Sequence, residues 1–297
     1  MPTLVKIIAA LCFTFCLTKQ SIGIPQAIYG FSFGESAEMP IAPNLFGDLS
    51  CILPPRECGP SWVKRVYAKY TAKTARLCSL EFYSSSLSNN YEATVQQIKD
   101  EIQAALSASL MPKGKSSYAI HTAGIDGCFV ELHTHESARQ IIVKIVPNKW
   151  NHMRMEEAKG TSRRRNPNGP DVFSNKLQTS GKNFVGALDD FNVSFREDIS
   201  KDEKFSLKWW TFLSPRMTND CDRIKVANAI RAELFAKFGI ILNEHYRCSG
   251  YFEESPLKNG ARIFLSISGL DGIHDSIDPN VYGRISFIVN IQQSRKD

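Results

Sequence analysis

Ser79-Leu80-Glu81-Phe82-Tyr83-Ser84 and Ser206-Leu207-Lys208-Trp209-Trp210-Thr211 resemble one another, and the fold is read outward from this pair. Both stretches are apolar and aromatic-rich, as strands are. A helical pattern follows each, with Ile102-Gln103-Ala104-Ala105-Leu106 matching Ile230-Arg231-Ala232-Glu233-Leu234. Tyr118 then matches Tyr246, each opening a strand. Asp126-Gly127 matches Asn259-Gly260, each before an alternating run: Phe129 and Leu132 in one, Ile263 and Leu265 in the other. Ile141-Ile142-Val143-Lys144-Ile145 and Phe287-Ile288-Val289-Asn290-Ile291 close the series. Five matches in the same order predict an internal duplication.

The helices have their own signals. Val95, Ile98, Ile102 and Leu106 recur at three- and four-residue spacing and so stack on one face. Asn90 is placed to cap this helix, and Glu92 lies at its positive end. In the second helix the stripe is Val226, Ile230, Leu234 and Phe238. Asn219 or Thr218 caps it, Asp220 and Asp222 complement its dipole, and Gly239 supplies the left-handed turn that ends it. One helix cannot cover both faces of a sheet. The prediction is therefore an α+β fold of two similar two-layer halves, each an antiparallel sheet with one main helix packed on one face.

The boundaries follow from composition. Residues 1–23 read as a signal peptide: Lys6 is the positive n-region, Ile7 to Leu17 the apolar h-region, and Ser21-Ile22-Gly23 the small-residue cleavage site. Lys6 and Lys19 cut this run short of the ~20 apolar residues that span a bilayer. The first half is expected at 24–153, a basic linker or loop at 154–183, and the second half at 184–297. The linker is rich in Gly, Pro, Asn and charge and contains Arg163-Arg164-Arg165.

Of 297 residues, 43% are hydrophobic and 22% charged, which excludes a disordered or low-complexity chain. The formal net charge is +6. Losing Lys6 and Lys19 lowers it to +4. Residues 154–182 carry seven Lys/Arg against three Asp/Glu, so the excess sits in one stretch. That distribution argues against a nucleic-acid-binding face.

Export implies an oxidising compartment. Without Cys12 and Cys16, the remaining six of the eight cysteines are Cys51, Cys58, Cys78, Cys128, Cys221 and Cys248. Six cysteines allow 15 connectivities. Spacing favours Cys51–Cys58 as a local loop and one bridge per half, Cys78–Cys128 and Cys221–Cys248. No C-x-x-C pair marks a zinc site.

His133-Thr134-His135 is the strongest candidate for chemistry. On a strand the two imidazoles share a face, and His121 on the neighbouring strand would be a third metal ligand. The competing reading is a pair of surface histidines at a hairpin. Trp209-Trp210 puts one ring on each face of a strand, and the outward one is a candidate binding platform. Asn192-Val193-Ser194 is a glycosylation sequon. Asp189-Asp190 and Glu253-Glu254 are adjacent carboxylates and point apart on a strand, so neither is an acid/base couple. Serine-hydrolase elbows, H-E-x-x-H and phosphate loops are missing from the sequence. No cofactor is expected. The reading is an exported, non-catalytic protein of the periplasm or extracellular space that binds a protein or envelope component through the groove between its halves or an exposed sheet face. The alternatives are a metal-dependent hydrolase using His133, His135 and His121, and a polyanion binder using Arg163–Arg165.

Overall fold

A computed structural model describes residues 27–44, 47–84, 90–106, 108–136, 139–159, 185–199, 205–245, 251–254, 262–267 and 283–294. The expected signal peptide, the Arg163–Arg165 run and Cys248 lie outside these residues. The protein is α+β, with antiparallel sheets and three α-helices among the described residues. None of these helices is long and apolar enough to cross a membrane.

Two compact units are present. The first comprises residues 1–37 and 55–159, the second 38–54 and 160–297. The short stretch Glu38–Pro54 therefore belongs with the second unit, although the expected first half began at residue 24.

The first unit opens with a two-stranded hairpin, β1 (Ala27–Ile28) and β2 (Phe31–Ser32). The second unit takes β3 (Ala42–Pro43) and β4 (Leu49–Leu53). The first unit continues with β5 (Val63–Tyr70), β6 (Leu77–Ser84), helix α1 (Tyr91–Leu106), β7 (Met111–Gly114), β8 (Ser117–His121), β9 (Cys128–His135), β10 (Gln140–Pro147) and helix α2 (Asn148–Ala158). These six strands lie in the order β5-β6-β10-β9-β8-β7. The last strand thus returns to the middle, between the second and the fifth.

One face of this sheet is the apolar core. Val66, Phe82, Val143 and Leu132 form a row across four strands, and Ala68, Leu80, Ile145, Val130 and Ile120 form the next. All nine are at most 3% exposed. Burying a side chain of Leu, Ile, Val or Phe size contributes about 1.5–3 kcal/mol. Tyr29 and Phe31 add rings against Phe82, with centroids 5.1 and 6.1 Å away.

Helix α2 lies where the linker was expected to begin, and it touches β6 and β10. It has no buried residue, so no apolar stripe announced it. Polar contacts fix it instead. Glu157 accepts from the backbone N–H of Lys73 and Thr74 at 2.7 and 3.0 Å and from Thr74 Oγ1 at 2.6 Å. Burial raises the Glu157 carboxyl, but these bonds hold it below the ordinary value. Trp150 on the same helix closes over Gly34, whose φ is +90°.

The second unit continues with a 3₁₀ turn (Gly186–Leu188), β11 (Asn192–Ile199), β12 (Phe205–Leu213), helix α3 (Asp220–Phe238), β13 (Asn243–His245), β14 (Tyr251–Glu254), β15 (Arg262–Ile267) and β16 (Ile285–Ser294). Its sheet runs β11-β12-β16-β15-β14-β13. The order is that of the first unit, strand for strand, with the helix again after the second strand.

Helix α3 begins and ends as its sequence dictates. Asn219 accepts the Cys221 N–H at 2.8 Å, and Gly239 closes the helix with φ +64°. Ile224, Ala227, Ile230, Leu234 and Phe238 are buried on it, whereas Val226 is only half-buried. Polar residues on α3 bind β4. Asn228 donates to Ile52 O at 2.7 Å and accepts from Ile52 N at 3.1 Å, and Arg231 donates to Ser50 Oγ at 3.1 Å. These bonds join β4 to the helix of the second unit. The Asn228 pair joins positions 176 residues apart, which no local pattern reveals.

The register corrects one sequence match. Phe82 lies opposite Val143, and Trp210 opposite Val289. With Val143 matched to Val289, Phe82 corresponds to Trp210. Matching Ser79–Ser84 to Ser206–Thr211 paired Phe82 with Trp209 instead, one residue out of phase. A slip of one places a core residue on the opposite face.

Candidate functional site

The other face of the first unit's sheet carries charge. Glu81, Lys144 and Glu131 form a row across β6, β10 and β9. Glu81 is 3% exposed and needs several partners there. Tyr83 Oη donates to it at 2.9 Å, and Lys69 and Lys144 Nζ lie 3.1 and 3.7 Å away. Glu131 takes Lys113 Nζ at 2.8 Å and His133 Nε2 at 3.2 Å. Burial raises the Glu131 carboxyl, but Lys113 and His133 outweigh burial and hold it below the ordinary value. The Arg65 guanidinium lies over the Tyr83 ring at 4.5 Å in the adjacent row. These charges neutralise one another across strands.

The expected metal site does not assemble. His133 is directed to Glu131, and its row partner on β8 is Ser117. His121 pairs with Phe129, four residues further along β8, or about 13 Å. His135 is displaced the other way. Among the described residues no group of three His, Cys, Asp or Glu is placed to hold a metal.

The expected bridge between Cys78 and Cys128 is also corrected. Cys78 is on β6 and Cys128 on β9, and β10 runs between these strands. Two strand spacings are about 9.5 Å, outside the Cα separation of a disulfide. Cys78 Sγ lies 3.2 Å from Lys69 O, and Cys128 is a buried free thiol beside Thr122. Burial raises the Cys128 thiol, which disfavours its thiolate. Cys58 and Cys221 are free thiols as well, so the pairs Cys51–Cys58 and Cys221–Cys248 are not formed in this structure.

The second unit presents a different surface. Among the described strands β11 has a neighbour on one side only, β12. Six of its eight residues are exposed. Phe195 and Ile199 are each 54% exposed and point to the same face as buried Phe212 and Phe287, where Phe195 stacks on Trp210 at 5.0 Å. On the other face, Arg196 bonds Asp198 through Nε at 3.0 Å and Nη2 at 2.7 Å, and its guanidinium lies 5.5 Å from the Trp209 ring centroid. Lys208 Nζ lies 3.8 Å from Glu197. Both tryptophans are thus half-buried supports of β11. Asn192 of the sequon opens this strand and is exposed.

The sequence gives no signal of this edge. Edge position depends on sheet order, which a single strand does not encode. Comparison with protein-family models, with curated proteins and with solved structures gives no match.

Proposed function

We propose that this chain is a non-catalytic binding protein that engages a protein partner by strand addition at β11. One observation carries the reading: an eight-residue strand, six of its residues exposed, offers one unpaired backbone edge among the described residues. Such an edge is a template for another strand. Phe195 and Ile199 supply apolar contacts on one face, and Trp209 and Trp210 stiffen the strand from behind. The mutual neutralisation of the first unit's charges supports a structural rather than a catalytic role for that sheet.

Two further parts complete the reading. The chain is a duplication of one two-layer unit, a sheet with one main helix on one face, supported by the shared strand order and helix position. It is exported to the envelope or extracellular space, supported by Lys6 and the apolar run that follows it.

The test is backbone hydrogen exchange of the mature protein with and without partners captured from its native compartment. Protection should rise across 192–199 and be lost with Phe195→Lys. Unaltered exchange there in a stoichiometric complex refutes the reading.

A further inference from the structure

We infer that the strand added at β11 is β11 of a second copy of this chain, giving an antiparallel two-fold dimer centred on Glu197. The inference rests on the edge-binding reading above and names its partner. In antiparallel pairing about a two-fold axis, residues whose numbers have a fixed sum face one another. Side chains share a face only when that sum is even.

Four axes put five or more of the eight residues of β11 in contact. An axis at Ser194 sets Arg196 against Asn192 and Val193 against Phe195. An axis at Arg196 sets Arg196 against its own copy and Phe195 against Glu197. An axis at Phe195 sets Val193 against Glu197 and Asn192 against Asp198. An axis at Glu197 sets Arg196 against Asp198 twice and Phe195 against Ile199 twice. Only this last register gives every charged residue on the Trp209 face an opposite charge. It also covers both of the strand's large exposed apolar side chains with each other.

The local structure suits it. Arg196 and Asp198 already bond within one strand, at 2.7 Å. Across the axis, two arginines and two aspartates close into one alternating set, and each guanidinium keeps its Trp209 contact. Phe195 extends the row of Val289 and Trp210, and Ile199 lies on the same face. The register sets Glu197 against its own copy, which is its cost. Lys208 beside each Glu197 offsets that charge. One strand edge is a small interface, so the dimer belongs to the micromolar class.

The experiment is sedimentation velocity on the mature full chain over a concentration series, with Arg196→Glu, Asp198→Arg and the double exchange R196E/D198R. The wild type should dimerise. Each single substitution places like charges together at two positions and should weaken the dimer at least about tenfold. The double exchange should restore it, and circular dichroism should show all four chains folded. A wild type that stays monomeric at about 100 µM overturns the inference. So does a dimer indifferent to the single substitutions, or one that the double exchange does not rescue. A monomer whose β11 gains protection from another protein removes the self-pairing alone. A monomer whose β11 gains none removes the edge-binding reading too.

Discussion

Replacing Asn228 by alanine should unfold the second unit far more easily than its small volume change suggests. Asn228 is 1% exposed, and its amide serves both backbone groups of Ile52, itself 1% exposed. The pairing imitates a ladder partner: one N–H accepted at 3.1 Å, one C=O served at 2.7 Å. Alanine removes both and leaves a buried N–H and a buried C=O. Each unmet group costs about 1–3 kcal/mol, so the two together cost about 2–6 kcal/mol. Asn228→Asp should be as harmful, since it keeps an acceptor for the N–H but sets a carboxylate against the carbonyl. Urea unfolding followed by tryptophan emission, in a chain with Trp62 and Trp150 each replaced by Phe, reports on the second unit through Trp209 and Trp210. The midpoint should fall by an amount equivalent to at least about 2 kcal/mol. A change below about 0.5 kcal/mol would show that water serves Ile52 equally well and that β4 is not held by this residue.

Two further outcomes follow from the first unit. Because Lys113 and His133 hold the Glu131 carboxyl low, its stabilisation is complete above the ordinary glutamate range and drains away as pH falls through it toward the lowered folded value. Glu131→Gln should therefore cost stability at neutral pH and progressively less as pH falls through and below the ordinary glutamate range, measured by urea midpoints across pH; a pH-independent difference contradicts the assignment. Gly34→Ala should destabilise the first unit, since its Cβ would stand 2.2 Å from Trp150 at a φ of +90°. Trp150→Leu in the same chain should recover only part of the loss, because the backbone cost of about 1 kcal/mol remains. Full recovery in thermal unfolding would mean that crowding alone sets the penalty.

What the sequence disclosed and what it hid divide along the range of the forces involved. Asn219, Gly239 and the apolar spacing of α3 act within a turn or two, and all three were readable. So were the strands near Phe82, Leu132, Val143, Ile263 and Val289, since each carries its own apolar run. The phase of β12 was not. Ser-Leu-Lys-Trp-Trp-Thr lines up with Ser-Leu-Glu-Phe-Tyr-Ser by letter, yet pairing to β16 puts Trp210 and not Trp209 on the core side. Aromatics on both faces mask a period of two. The histidines failed for a related reason: sharing a face is fixed by parity, but distance along the strand depends on register, and Ser117 stands where His121 was wanted. Helix α2 gave no signal because its anchor, Glu157, binds a turn 83 residues earlier.

The allegiance of Glu38–Pro54 to the second unit shapes how the chain is made. Ile52 leaves the ribosome 176 residues ahead of the asparagine that satisfies it. At about 5–20 residues per second, that is a wait of roughly 10–35 s. Throughout that interval two apolar residues, Ile52 and Leu53, stay without the helix that shelters them, while residues 55–159 are already free to fold. The two backbone groups of Ile52 therefore wait for their side-chain partner until the helix of the second unit has been made.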